Sequence, residues 1–218
     1  MAKENNQKTI SQAIIKRLPR YHRYLGDLEE KGIERISSAE FARMLGVTAS
    51  QIRQDLNNFG GFGQQGYGYN VKYLRDEIGH ILGIDHIHSG IIIGAGNLGK
   101  AIAGYKNFRR SGLEIRALFD QDESKIGTEI AGCPVYSMDK LKDYINDNNI
   151  EVAALTTSRN GADSIAEILN DSNIKGIWNF VHTDLPVRSD IYVENVHLSE
   201  TFMHLCFNMT SKENAENV

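Results

Sequence analysis

Gly94-Ala95-Gly96-Asn97-Leu98-Gly99, entered from the apolar run Ile91-Ile92-Ile93, decides how this 218-residue chain is read. It is a complete G-x-G-x-x-G at a strand-to-helix junction. Gly94 allows the tight turn out of the strand, and Gly96 lets a backbone approach a pyrophosphate. Gly99 lets the following helix pack close to the sheet. The helix start then offers unpaired N–H groups and a positive dipole end to phosphates. Ser89 to Ile93 reads as a buried parallel strand, while Leu98, Ile102 and Tyr105 recur at helical spacing.

A second strand, Leu113 to Phe119, ends in Asp120. An acid there hydrogen-bonds an adenosine ribose and repels a 2′-phosphate, which favours NAD(H) over NADP(H). The expectation is an α/β chain with a Rossmann, doubly wound parallel sheet. Its dinucleotide contacts are Gly94, Ala95, Gly96, Asn97, Leu98, Gly99 and Asp120. The motif begins nearly a hundred residues into the chain, so a different module precedes it.

Charge separates the two parts. Residues 1–79 carry a net +3 and residues 80–218 a net −7, giving −4 overall. A basic front end suits an anionic macromolecular partner. No apolar run approaches the roughly 18 residues of a membrane span, and Met1 to Lys8 is polar, without the apolar core of a secretory signal. Cys133 and Cys206 lack metal-ligand spacing and sit among apolar residues, reading as reduced thiols of a cytoplasmic protein. His86-x-His88, before a strand, reads as a solvated turn. No metal is expected.

Residues 10 to 31 read as a helical segment, its apolar side formed by Ile14, Ile15, Leu18, Leu25 and Leu28. Pro19 interrupts it. Lys16, Arg17, Arg20 and Arg23 cluster around the break. Ser37-Ser38-Ala39-Glu40 is a capping box that starts a short helix, which Gly46 stops. Thr48-Ala49-Ser50-Gln51 is a second box and starts another. There Ile52, Leu56 and Phe59 form one apolar stripe. The outward positions are Ser50, Gln51, Arg53, Gln54, Asn57 and Asn58, rich in the amide and guanidinium groups that read base edges. Two short helices with a tight turn match helix-turn-helix. Gly60 to Tyr69 then alternates glycines with aromatics, as a β-hairpin needing positive φ angles would, and so forms a wing with Gln64-Gln65 at its tip.

Specific residues carry a resemblance over about 10–209. They are Lys16-Arg17-Leu18-Pro19 with Tyr21 and Arg23, Arg35 to Glu40, and Ile52-Arg53-Gln54-Asp55-Leu56 running into Phe59-Gly60. Gly66 to Val71, the glycine turn, Phe119-Asp120, Lys125-Ile126-Gly127 and Gly176-Ile177-Trp178-Asn179-Phe180 complete the set. In these the chain resembles the Rex family of redox-sensing transcriptional repressors.

The resemblance implies a homodimer on double-stranded, pseudo-palindromic operator DNA that senses the NADH/NAD+ ratio, NADH releasing the DNA of fermentative or respiratory genes. It adds Lys125, Thr156 and Tyr105 to the cofactor site, with Tyr105 near the nicotinamide. It also implies a C-terminal helix, about Ser199 to Met209, swapped between protomers. Phe202, Met203, Leu205, Cys206, Phe207 and Met209 exceed a single stripe, which fits burial against more than one surface. The expected organisation is a winged-helix DNA-binding domain at 1–80, a Rossmann domain at 81–196 and a dimerisation helix and tail at 197–218. Lys16, Arg17, Ser50, Gln51, Arg53, Gln54, Asn57, Asn58, Gln64 and Gln65 are the expected DNA contacts.

The sequence departs from the family pattern in three places. Thr157-Ser158-Arg159 stands where a Val-Pro pair packs by the nicotinamide. His197 stands where many members carry an aspartate that pairs with the arginine matching Arg23. Gln64-Gln65 replaces frequent wing-tip cations, each of which would add a phosphate contact and salt dependence.

Two other readings exist. One is a regulator of the same architecture responding to another adenine nucleotide. The other is a nicotinamide-dependent dehydrogenase, which the spacing Tyr136-x-x-x-Lys140 suggests. That pair falls about 40 residues after the glycine turn, too early for the short-chain enzymes. Ser137 reads as a helix N-cap that leaves Tyr136 outside the helix. No substrate domain follows, so the chain reads as a non-enzyme whose cofactor is a ligand.

Overall fold

The computed structural model describes residues 10–64 and 67–216, so Met1 to Lys8 and the wing-tip residue Gln65 lie outside the described residues. The chain forms two compact units, Met1–His86 and Ile87–Val218.

In the first unit the helical segment is two helices, α1 (Gln12–Ile15) and α2 (Leu18–Glu30). Pro19 lies in the first turn of α2, where its missing N–H is harmless. In a continuous helix that N–H would have been owed to Ile15, which is why the break falls here. Leu18, Tyr21, Leu25 and Leu28 form the buried stripe of α2.

After β1 (Arg35–Ile36) comes α3 (Ser38–Leu45). Ser37 Oγ accepts from the Glu40 N–H at 3.1 Å, and Glu40 Oε2 accepts from the Ser37 N–H at 3.0 Å. Gly46 ends α3 in the left-handed region, with φ +66°. Thr48 caps α4 (Ala49–Asn57), but its box is only half made. Thr48 Oγ1 accepts from the Gln51 N–H, while the Gln51 side chain turns to Asp55.

Next come β2 (Gly63–Gln64), β3 (Gly68–Asn70) and α5 (Val71–Ile81). β3 pairs antiparallel with both β1 and β2, so the hairpin is stitched to the strand that precedes the helix-turn-helix. Gly68 is required there. Its φ is +69°, and a Cβ would stand 2.5 Å from the Ile36 carbonyl oxygen. Phe41, Leu45, Ile52, Leu56, Leu74 and Ile78 fill the core, with Tyr21 edge-on to Phe41 at 5.6 Å. This is a winged helix-turn-helix.

The second unit runs β4 (His88–Ile93), α6 (Asn97–Ala103), β5 (Leu113–Asp120), β6 (Glu129–Ile130), β7 (Cys133–Ser137), α7 (Leu141–Asp147), β8 (Val152–Leu155), α8 (Ala162–Asn170), β9 (Gly176–Asn179), β10 (Tyr192–Asn195) and α9 (Leu198–Glu216). Among the described residues the sheet order is β10-β9-β8-β4-β5-β7-β6. The neighbours are parallel except the β6–β7 pair at the edge.

Strand alternation explains the double winding. Ile91 and Ile93 face the layer with Leu141, Ile145, Ile165 and Leu169, whereas Ile92 faces the layer with Ile102, Leu118 and Ala154. Both faces are covered, as an all-apolar parallel strand requires. His88 lies in β4 rather than in a turn, its Nδ1 3.0 Å from Glu151 Oε2.

α9 is longer than the expected Ser199–Met209. Phe202, Met203, Leu205, Phe207 and Met209 are all exposed on it, so its apolar surface is not buried within its own chain. Cys206 is exposed there too, contrary to the apolar setting read from its neighbours, because those neighbours themselves face outward. Among the described residues, no helix is long and apolar enough to cross a membrane.

Candidate dinucleotide cleft and nucleic-acid interface

The strand order reverses between β4 and β8, and a cleft of about 610 Å³ opens beyond their carboxyl ends. Open α/β sheets place ligands at such a switch point. Gly94, Gly96, Asp120, Lys125 and Thr156 line it, joined by Thr157, Ser158, Asn160, Gly161 and Ser164. Sequence reasoning missed the last three, which lie on the turn into α8 and its first helical residues. Their only signal was position after a buried strand.

The three glycines differ in what they tolerate. Gly94 has φ +106°, and a Cβ on it would press on the Thr156 backbone at 3.0 Å. A Cβ on Gly99 would be driven into the Gly94 carbonyl oxygen. Gly96 has an ordinary extended conformation, φ −80° and ψ −168°, and a Cβ there meets nothing within 4 Å. Two glycines therefore build the turn, and Gly96 keeps the space in front of α6 clear. Gly99→Ala is expected to destabilise the second unit by about 2 kcal/mol or more, because backbone must move. Its denaturant midpoint checks this.

Thr156 fastens β8 to the turn, its hydroxyl donating to the Gly94 carbonyl at 2.8 Å. Thr157 Oγ1 is buried without a hydrogen-bond partner in the same wall. Asp120 ties the cleft together. Its Oδ2 accepts from the Ala95 N–H at 2.7 Å and from Lys125 Nζ at 3.1 Å, and its Oδ1 accepts from the Asp122 N–H at 2.9 Å. Ala95 is thus an internal anchor whose N–H is already taken. Asn97 is exposed as the first residue of α6, Leu98 packs against the core, and Gly99 is buried.

Burial pushes the Asp120 carboxyl up, but the Asp122 and Ala95 N–H groups and Lys125 outweigh it and hold it below the usual carboxylate value. A lowered folded-state value stabilises above the unfolded carboxylate range and is lost as pH falls through the lowered value. Wild-type stability is therefore expected to drop more between about pH 5 and pH 3 than that of Asp120→Asn, when urea midpoints are compared.

Tyr105 departs from expectation. α6 ends at Ala103, with Gly104 as its C-cap, so Tyr105 is not on that helix. It starts a short 3-10 turn, Lys106–Ser111, stands exposed outside the cleft lining and packs edge-on to Phe108 at 4.7 Å. Tyr136 and Lys140 do not form an acid pair either. Tyr136 is in β7, Ser137 caps the following turn, and Lys140 Nζ sits 5.9 Å over the Tyr136 ring.

On the first unit, α4 exposes Ser50, Arg53, Gln54 and Asn57. Arg53 Nη1 donates to Ser38 Oγ at 3.0 Å across the helix-turn-helix. Lys16 is exposed at the end of α1. Gln64 lies in β2 at the wing.

Three of the expected contacts bond within the protein, two to a buried group and one, the exposed Asn58, to its own helix. Arg17 grips Asp55 through Nε and Nη2, both at 2.7 Å. Gln51 Nε2 donates to Asp55 Oδ1, also at 2.7 Å. Asn58 Nδ2 donates to the Gln54 carbonyl at 2.7 Å. For Arg17 and Gln51 the reason is Asp55 itself, fully buried at the base of α4. A buried carboxylate must be paired and hydrogen-bonded, and it draws in the donors within reach. Its spacing of three after Ile52, on the apolar side, was the available signal.

Comparison with known proteins follows this division. A family model described as "Putative DNA-binding protein N-terminus" matches residues 9–57, and one described as a CoA binding domain matches residues 85–183. The redox-sensing transcriptional repressor Rex of Clostridioides difficile is 53% identical over 202 residues, covering 93% of this chain and 96% of that protein. Its namesake from Clostridium tetani is 45% identical over 209 residues, covering 96% and 99%. Among solved structures, RSP in complex with β-NAD+ and operator DNA superposes with a TM-score of 0.89 at 45% identity, covering 96% of this chain and 97% of that one. RSP with β-NADH gives 0.87 at 42%, covering 96% and 99%. Matched by these relatives along nearly its whole length, through both the winged-helix unit and the glycine-turn unit, this chain belongs to the Rex family of redox-sensing transcriptional repressors.

Proposed function

We propose that this protein is a transcriptional repressor that reads operator DNA through α4 and the β2–β3 wing, and that NADH in the Gly94–Gly99 cleft releases it. One observation carries the reading. A single chain holds an exposed reading helix (Ser50, Arg53, Gln54, Asn57) and an open nucleotide cleft whose Gly96 leaves room for a pyrophosphate. The RSP structures with NAD+ and operator DNA and with NADH support it.

In this reading residues 1–80 hold DNA, 81–196 hold NAD(H), and 197–218 join two copies. The N–H groups at the start of α6, beside Asn97, face the pyrophosphate. Asp120 takes the ribose hydroxyl with its remaining lone pair, Lys125 stands beside it, and Thr156 fixes the wall. Tyr105 closes over the nicotinamide only if its segment moves. The protein acts in the cytoplasm, as a ligand-controlled binder rather than an enzyme.

The test is operator binding across NADH/NAD+ ratios, with ATP and ADP as further arms. Release by NADH and not by NAD+ is expected. Release by ATP or ADP alone would favour a different nucleotide, for which the hydroxyl-lined wall at Thr157, Ser158 and Ser164 also has polar groups to offer. Arg53→Ala is expected to weaken operator binding by roughly 1–3 kcal/mol, with NADH affinity unchanged. Titrating both ligands against the variant checks it.

A further inference from the structure

We propose that Asp55 is a positioning residue for DNA reading: with Arg17, Tyr21 and Gln51 it forms a latch, closed around its buried carboxylate, that sets the angle of α4 against α2. The proposal rests on the operator-binding reading above and adds how the reading helix is aimed.

The geometry is complete in itself. Asp55 is 0% exposed. Its Oδ1 accepts from Arg17 Nη2 and Gln51 Nε2, and its Oδ2 accepts from Arg17 Nε and the Tyr21 hydroxyl, each at 2.7 Å. Both oxygens are thereby filled. A bidentate guanidinium fixes direction as well as distance. Arg17 is the N-cap of α2 at the corner where α1 ends, and Tyr21 is one turn further along α2. The donors therefore come from two points on α2, Arg17 and Tyr21, 38 and 34 residues from Asp55, and from α4's own first turn.

Hydrophobic contacts alone would permit α4 to slide or rotate by small amounts over Ile52 and Leu56. A fixed fork between charged groups does not. The hydrogen bonds outweigh burial and hold the Asp55 carboxyl below its usual value, so it stays ionised and the latch stays closed. Base-edge contacts depend on placement of a few ångströms, whereas phosphate contacts through long flexible cations do not. The latch consequently governs discrimination between sequences more than overall attraction to DNA.

The experiment measures binding of Asp55→Asn, Arg17→Gln and Tyr21→Phe to operator and to random duplex DNA over a range of salt, with no NADH. Thermal unfolding gives the folded fraction. For Asp55→Asn and Arg17→Gln the ratio of operator to random affinity is expected to fall by about tenfold or more, with the salt slope unchanged. Tyr21→Phe, which keeps its ring on Phe41, loses one bond only. It gives a smaller fall in the same direction and keeps the test alive if Asp55→Asn does not fold.

A phosphate-contacting Arg17 behaves otherwise. Arg17→Gln would lower the salt slope by about 0.9 and weaken both DNAs alike, while removing the Asp55 charge would leave or raise affinity. That result overturns the proposal. So does a loss on both DNAs that merely tracks the folded fraction. A wild-type protein that never prefers any operator over random DNA removes the underlying operator reading instead.

Discussion

Gly96→Val is expected to give a folded protein that still holds operator DNA and is no longer released by NADH. The reason lies in how the glycines of one turn divide their work. Gly94 and Gly99 have no room for a Cβ, so changes there disturb the strand-to-helix junction itself. Gly96 has a backbone conformation that branched residues adopt readily and open space where its side chain would go. The isopropyl group would occupy the place in front of α6 that a pyrophosphate must reach. NADH affinity should fall by more than about a hundredfold, on the order of 3 kcal/mol, while unfolding midpoints hardly move. Operator retention followed during an NADH titration measures it. If NADH still releases the variant at wild-type concentrations, the cofactor does not bind across this turn.

The second large effect is expected at α9. Phe202 and Phe207 are 64% and 70% exposed in the single chain, so replacing both by glutamate leaves each chain's own core untouched. In a dimer that buries α9, the same change places charges in an apolar contact without partners. Assembly should be lost, and operator affinity should drop by more than about a hundredfold, because a lone chain grips one half-site without the high effective concentration of its linked twin. Sedimentation gives the assembly state and far-ultraviolet dichroism the fold. A double variant that stays dimeric and keeps its operator affinity would move the assembly face elsewhere.

Much of the fold was legible because its signals are local. The capping box at Ser37–Glu40, the stop at Gly46 and the Ile52-Leu56 stripe each lie within one or two turns of the residues they organise. So do the apolar strand and glycine turn at Ile91–Gly99. The misreadings arose where a local pattern ran past its element. Tyr105 matched helical spacing, but α6 had already ended at Ala103. The interruption read at Pro19 is, by contrast, where the 10–31 segment divides into α1 and α2. His88 looked like turn because strand pairing with β5, which holds it in β4, leaves no mark in neighbouring residues.

The sequence by itself determined the kind of protein this is. It placed a reading helix and wing ahead of a dinucleotide turn and put an acid at the end of the next strand. Only the tertiary structure decided which of the named side chains are free to work. Arg17 and Gln51 have the chemistry of DNA contacts and spend it on Asp55, and Ala95 gives its N–H to Asp120 rather than leaving it for a ligand. Those partners lie 38 and 25 residues apart for Arg17 and Ala95, and Thr156 and Gly94 lie 62 apart. Chain topology brings such pairs together. A side chain's type limits the bonds it can make, but the bonds it does make depend on which buried group first requires a partner.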